Sequence, residues 1–340
     1  MGRKRETGKG NTSVTEDFLT IGVDIGGTNF RAAVVDESGT ILAVEQLPTP
    51  SNVEALEKAL EQVITQLCEQ HSTAKRPIVA VGLAIAGFID ETRTHVRFAP
   101  HLPWRNTELV QRLRRRLELP VVIEHDANSA AWGEYFQGAA QGEDTWVLFA
   151  LGTGIGAAVM HKGEIYRGAF GTAPEFGHLT VMPGGRACPC GKMGCLERYC
   201  SGSALPLTAQ DFIATGCCPE SALTKTYANH PEEITGRAVV RLAREGDGLA
   251  LDVVDDMATW LGRGLALVQD VFDPSLIVLG GGVSQDADLF LPTAREVMAN
   301  NIVGAGHRRV ARVVQGQLGG DAGMIGVALL ARREADPQKQ

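Results

Sequence analysis

The sequence predicts an α/β fold of two similar lobes around a central cleft, on three observations. Its length of 340 residues suits two domains, each large enough to bury a core. A meander of strand, glycine turn, strand, polar turn and strand begins at Leu19 and recurs at Trp146, the pattern of an internal duplication. A polar cluster, His125-Asp126-Ala127-Asn128, closes a short apolar run, and open α/β sheets carry their chemistry at the carboxyl ends of strands.

Composition narrows the function classes. A net charge of −8, with a pI near 5.6, argues against a nucleic-acid partner. No apolar run reaches membrane-spanning length, so no membrane partner is expected. Residues 1–17 are polar, with Arg3, Lys4, Arg5 and Lys9 and no apolar centre; they read as a disordered tail and not as a secretory signal. Glu6 stands where a myristoylation signal needs Ser or Thr. Fraying is expected again from Ala335 to Gln340. Seven cysteines is an odd number for a disulfide framework, and Cys188, Cys190 and Cys195 lie close together. That fits a metal site in a reducing cytoplasm.

The elements follow in order. Leu19, Ile21, Val23 and Ile25 alternate with small or polar residues, as a half-buried strand should. Gly26-Gly27-Thr28-Asn29 turns the chain, Phe30 to Val35 resumes the strand, and a third strand starts at Ile41. Apolar residues from Val53 to Leu67 recur at helical spacing over 52–69, with Ser51 or Asn52 as N-cap. Ile78 to Ile85 is apolar throughout, as in a strand buried on both faces. A long loop is expected from Gly87 to Trp104, and loops of that length are often functional. Thr107 to Leu117 reads as an amphipathic helix. Its Arg112, Arg114, Arg115 and Arg116 read as a solvated face, because no aromatics interleave with them. A strand over 121–124 runs through the polar cluster into a helix over 129–136. The second meander has strands at 146–151, 157–160 and 164–166. Helices dominate 203–260, and a long helix spans 249–271. A buried strand over 275–279 ends in Gly280-Gly281-Gly282, and helices follow over 289–299 and 323–332.

Three glycine turns therefore exist, at Gly26-Gly27-Thr28, Gly152-Thr153-Gly154 and Gly280-Gly281-Gly282. Such turns bring backbone N–H groups close to a phosphate, although an ordinary hairpin would look the same in isolation. None fits the P-loop pattern, and the second is followed by a strand where a dinucleotide motif needs a helix. A nucleotide held between two lobes remains. His178, Cys188, Cys190 and Cys195 form a closed set of one histidine and three cysteines, which suits structural zinc; the alternative is buried free cysteines. Asp126 can serve as general base toward a sugar hydroxyl during phosphoryl transfer, or can cap the helix expected near Ser129. Glu175 and His178 share one face of a helical turn, so Glu175 could bind substrate hydroxyls while His178 reaches both metal and substrate. The metal would hold Glu197 nearby. Singly, either glutamate also reads as a solvated surface carboxylate.

Pro174-Glu-Phe-Gly-His178 and Cys188-Pro-Cys-Gly-Lys-Met-Gly-Cys195-Leu-Glu197 resemble the ROK family of repressors, open reading frames and sugar kinases. The resemblance extends to Asp24-Ile-Gly-Gly-Thr-Asn29, Glu124-His-Asp-Ala-Asn128, Leu151-Gly-Thr-Gly-Ile-Gly156 and Leu279-Gly-Gly-Gly-Val283. Phe98-Ala-Pro-His-Leu-Pro-Trp104 and Ala131-Trp-Gly-Glu134 are most similar to the actinobacterial glucokinases of that family. It implies an actin-like, ribonuclease-H-like ATPase fold with sugar and ATP meeting in an interlobe cleft. A small lobe would span 18–130, completed by a helix over about 320–333, and a large lobe would span 131–319.

By the same resemblance Asp126 deprotonates the sugar 6-hydroxyl. Glu175, His178, Glu197 and the Gly87 backbone bind the sugar, and residue 125 touches it. The turns at Gly26-Gly27-Thr28 (with Asn29) and Gly152-Thr153-Gly154 hold phosphates, Gly280 to Gly282 holds adenosine, and Asp24 acts through magnesium. The family usually has Asn at residue 125, where this chain has His125; histidine still hydrogen-bonds but is larger and titratable. The expected activity is ATP-dependent 6-phosphorylation of glucose. The alternatives are another hexose (mannose, N-acetylmannosamine, fructose), polyphosphate as donor, or a non-catalytic sugar-sensing regulator. The family's repressors carry a DNA-binding domain ahead of the first glycine turn, and the residues before it here are too few for one. A homodimer or homotetramer is implied.

Overall fold

The computed structural model describes residues 18–335. The tail expected over 1–17 lies outside those residues, as does the fraying expected at the other end except at Ala335, which closes the last helix. The first half runs β1 (Leu19–Ile25), β2 (Asn29–Val35), β3 (Ile41–Pro48), α1 (Val53–His71), β4 (Ile78–Ile85), β5 (Phe88–Ile89), β6 (Val96–Phe98), β7 (Arg105–Thr107), α2 (Leu109–Leu117), β8 (Val121–His125) and α3 (Asp126–Gln137). The second runs β9 (Thr145–Leu151), β10 (Ile155–His161), β11 (Glu164–Tyr166), α4 (Ala204–Ala214), α5 (Ala222–Tyr227), α6 (Gly236–Arg244), α7 (Gly248–Phe272), β12 (Leu276–Gly280), α8 (Ala287–Asn301), β13 (Arg312–Gln315) and α9 (Ala322–Ala335).

Two five-stranded sheets carry one topology. The first has order β3-β2-β1-β4-β8 and the second β11-β10-β9-β12-β13. In each, an antiparallel meander is extended by two parallel strands. The repeat legible in the two meanders therefore reaches through all five strands. It includes β13, whose four residues give no pattern of their own. Parallel neighbours need crossovers, and helices supply them on both sheets.

Each sheet has its own core. Leu56, Leu60, Val63, Ile64 and Leu67 of α1 pack with Ile21, Val23, Leu83 and Ile123 of the first sheet. The Asn52 side chain caps α1 by accepting from the Ala55 N–H at 2.8 Å. Val253, Met257, Leu261 and Leu265 of α7 pack with Phe149, Ile277 and Leu279 of the second sheet. Between the two, Ala127, Ala131 and Trp132 of α3 join Ile325, Leu329 and Leu330 of α9 against Trp146, Leu148 and Met160. These two helices cross at glycines. A Cβ at Gly326 would lie 1.7 Å from the Ser129 carbonyl oxygen, and one at Gly22 would lie 2.0 Å from that of Met324. The backbones of α9, α3 and β1 are thus in direct contact.

Three expectations change. The long loop after Gly87 is interrupted by β5 and β6, which join β7 in a small sheet; these strands are two or three residues long, below the length at which alternation can be read. The following helix starts at Leu109, not Thr107, because Thr107 ends β7. The arginines of α2 do not all form a solvated face. Arg112 grips the fully buried Glu57 of α1 with two bonds of 2.8 and 3.0 Å, and Arg116 reaches Glu54 and Glu61. A buried carboxylate requires such partners.

Candidate active site

Five of the expected site segments leave the carboxyl ends of parallel strands, while Glu175, His178, Glu197 and the cysteines follow the antiparallel β11. β1 ends at the first glycine turn, β4 runs to Gly87, and β8 delivers Asp126. In the second sheet the neighbouring parallel strands β9 and β12 deliver Gly152-Thr153-Gly154 and Gly280-Gly281-Gly282. This is where an open α/β sheet offers unpaired backbone groups.

The first turn is exposed from Gly26 through Asn29. Its ends are tied by the Gly26 N–H to the Asn29 carbonyl at 3.1 Å and the Thr49 hydroxyl to the Gly26 carbonyl at 2.7 Å. His101 covers it closely, since a Cβ on Gly27 would come within 2.9 Å of the His101 Cβ. The second turn rests on Gly202 and Ser203, whose N–H groups donate to the carbonyls of Gly152 and Thr153. The third packs against the end of β9: Gly281 has φ +80, and a Cβ there would meet the Leu151 carbonyl oxygen at 2.4 Å.

Asp24, just before the first turn, is half-buried. Burial, reinforced by the nearby charge of Asp126 and opposed by Arg31, raises its carboxyl to a pKa of about 6. The two carboxylates therefore repel each other, and only Arg31 opposes that effect on Asp24. Asp126 occupies the first turn of α3, which begins at Asp126 and not near Ser129. The N-cap position belongs to His125, whose side chain makes no capping bond. Asp126 does accept the Ala127 N–H at 2.7 Å, so it serves the helix start with one oxygen. The same Oδ1 lies 3.2 Å from His125 Nε2, and the side chain remains 43% exposed, open to a substrate.

Glu175 precedes a short helical turn, 176–178, and its Oε2 lies 4.0 Å from His178 Nε2. Burial raises the Glu175 carboxyl above its ordinary range. His125 and His178 oppose the rise, while Asp126 and Glu197 add to it. Glu197 is not a solvated surface group. Only 15% exposed, it has Oε1 at 3.1 Å from Cys188 Sγ and 3.6 Å from His178 Nδ1. Its Oε2 lies where a Cβ on Gly154 would reach 2.4 Å. Contacts therefore link Glu197, His178 and Glu175 on one side and His125 with Asp126 on the other, and charge interactions tie Glu175 to His125 and Asp126 to Asp24. Gly87, His125 and Glu175 share a cleft with Phe88, Asn128 and the segment 171–174.

His178, Cys188, Cys190 and Cys195 bring one ligand atom each to within 4.8 Å of one another. The Cys190 and Cys195 sulfurs are 3.7 Å apart, and Cys188 Sγ is 3.7 Å from His178 Nδ1. Tetrahedral coordination at ordinary zinc bond lengths requires about 3.8 Å between sulfurs and about 3.6 Å between sulfur and nitrogen. The cluster fits such an ion, with Nδ1 toward the metal and Nε2 toward Glu175. Without metal, burial pushes the Cys188 thiol well up. The loop closes at Gly194, where a Cβ would collide with the Met182 carbonyl oxygen at 1.7 Å.

Two features escape sequence reasoning. The segment 168–174, with Gly168 and Gly171 at positive φ and a cis bond before Pro174, lines the cleft through its residues 171–174. Behind it Glu124, buried in β8, accepts two bonds from Arg167. Neither has a periodic pattern; a glutamate interrupting the apolar run 121–124 was the available sign of a buried partner.

Residues 20–334 match the ROK family. The chain is 42% identical over 321 residues to a glucokinase of Streptomyces coelicolor, covering 94% of this chain and 99% of that protein. It is 28% identical over 279 residues to the N-acetylglucosamine repressor of Escherichia coli O157:H7, covering 82% of this chain and 67% of the repressor. Among solved structures it resembles a ROK family glucokinase from Streptomyces griseus in complex with glucose and AMPPNP. There the TM-score is 0.80 and the identity 42%, with 93% of this chain and 99% of that one covered. Among the described residues no helix is long and apolar enough to cross a membrane.

Proposed function

The chain belongs to the ROK family, and from that premise we propose that it is an ATP-dependent glucokinase. It transfers the γ-phosphoryl group of ATP to the 6-hydroxyl of glucose. The observation that carries the reading at this site is the placement of Asp126: an accessible carboxylate on the first turn of α3, in contact with His125 and electrostatically coupled to both Asp24 and Glu175.

In this reading the sugar occupies the cleft beside Gly87, His125 and Glu175, with His178 and Glu197 completing its hydroxyl contacts. Asp126 accepts the 6-hydroxyl proton as the oxygen attacks phosphorus, and His125 holds the carboxylate in place through its 3.2 Å contact. Phosphoryl transfer needs mainly positioning and charge stabilisation. The turns Gly26-Gly27-Thr28, with Asn29, and Gly152-Thr153-Gly154 supply backbone N–H groups to the phosphates. Gly280-Gly281-Gly282 leaves room for adenosine. Asp24 would hold magnesium, which would supply positive charge to neutralise the transferring phosphates. The cysteine–histidine cluster would hold structural zinc, which fixes His178 and Glu197 and takes no part in the reaction. Residues 18–130 with about 320–333 form the small lobe, and 131–319 the large one. We place the protein in the cytoplasm, as a homodimer or homotetramer without nucleic-acid or membrane partners.

The test is a coupled phosphorylation assay across a hexose panel, with ATP and with polyphosphate. Glucose with ATP should give the highest kcat/KM. Turnover of no hexose with ATP would remove the kinase reading, and a preference for mannose, N-acetylmannosamine or polyphosphate would reassign its substrate.

A further inference from the structure

Asn128 lines the sugar cleft and is only 2% exposed, yet its carbonyl oxygen Oδ1 has no hydrogen-bond partner. The orientation of its amide is fixed. The Nδ2 group donates to Glu124 Oε1 at 2.9 Å, and an ionised carboxylate can only accept, so Oδ1 must point away from Glu124. The same Oε1 accepts the His125 N–H at 3.0 Å. Glu124 is locked from its other side, where Arg167 gives Oε2 two bonds of 2.9 and 2.6 Å. Arg167 also opens the cleft-wall segment, which closes back on it through the Ala173 N–H to the Arg167 carbonyl at 3.1 Å. One clamp thus fixes both Asn128 and the wall opposite.

A buried acceptor without a partner is costly, and native structures rarely keep one without a reason. The missing partner must be a donor. A sugar hydroxyl is a donor; the phosphates of a nucleotide are not. Building on the kinase reading, we propose that Asn128 is a sugar-binding residue whose Oδ1 accepts one hydroxyl of the hexose. Glu124 and Arg167 are positioning residues that aim it. A site built to pair with a hydroxyl rejects the analogue that lacks it, so Asn128 contributes to sugar specificity.

The test compares glucose with its monodeoxy analogues on the wild-type enzyme, Asn128→Ala and Arg167→Gln. Wild type should disfavour one analogue by about tenfold or more in kcat/KM. Asn128→Ala should erase that discrimination and leave the others, with KM for ATP unchanged. Arg167→Gln should blunt discrimination against the same analogue and raise the sugar KM, with Arg167→Lys restoring part of it. Should Asn128→Ala not fold, the Arg167 pair carries the comparison. If all analogues weaken equally in these variants, or the wild-type pattern persists, the inference is overturned and a buried water or a purely structural role takes its place. Those results still require a wild type that phosphorylates glucose; a wild type that turns over no hexose defeats the kinase reading instead.

Discussion

Asp24 carries a carboxylate that folding makes reluctant to ionise. Burial and the charge of Asp126 hold its pKa at about 6, above the ordinary 3.8. The folded protein therefore keeps a proton that the unfolded chain releases, and stability falls as pH rises from about 4 through about 6. The window is worth about 3 kcal/mol. Melting curves of wild type and Asp24→Asn without magnesium should diverge across it, the variant gaining on wild type as pH rises. Parallel curves would mean that Asp24 ionises normally. In the kinase reading the same variant loses activity, because the ionised carboxylate is what would hold magnesium. The position of Asp24 before a glycine turn was legible in the sequence. Its burial was not, since that comes from Gly323 and the start of α9, nearly the whole chain away.

The cysteine–histidine loop, a candidate metal site, is the element whose failure would travel furthest. His178 belongs to the short helical turn 176–178, Glu197 to a second over Leu196–Arg198, and Glu175 adjoins the first. The spacing of His178 and the three cysteines, with the intervening glycines, makes the cluster legible, because candidate ligands of this kind lie close in sequence. Metal analysis should find about one zinc per chain. Binding at such a site is folding energy, so Cys190→Ser should lower the melting midpoint by about 5 °C or more and raise the sugar KM. A metal-free protein with full activity and unchanged melting would contradict this. The cleft-wall segment 168–174 was not legible: it has no periodicity, and its place depends on Gly171 packing against Ile89 and Asp90. The same limit hid the small sheet β5-β6-β7 and strand β13, which are too short to show alternation.

At the scale of the molecule, the duplicated sheet explains why so much of the site could be read. Two copies of one topology place their glycine turns at equivalent strand ends, so recognising the repeated meander located both turns at once. What the repeat could not reveal is how the copies meet. Contact depends on glycines that admit neighbouring backbones, Gly326 against Ser129 and Gly156 beside Ala127, and on Arg167 reaching from the end of the second meander to Glu124 in the first sheet. That junction brings Asp126 within reach of groups from both halves. The most direct test of its role is Asp126→Asn, with glucose affinity and turnover measured on the same preparation. The glucose Kd should stay within about threefold of wild type while kcat falls by about a thousandfold, the scale of a lost general base. A variant that turns over near the wild-type rate would show that Asp126 serves only the start of α3.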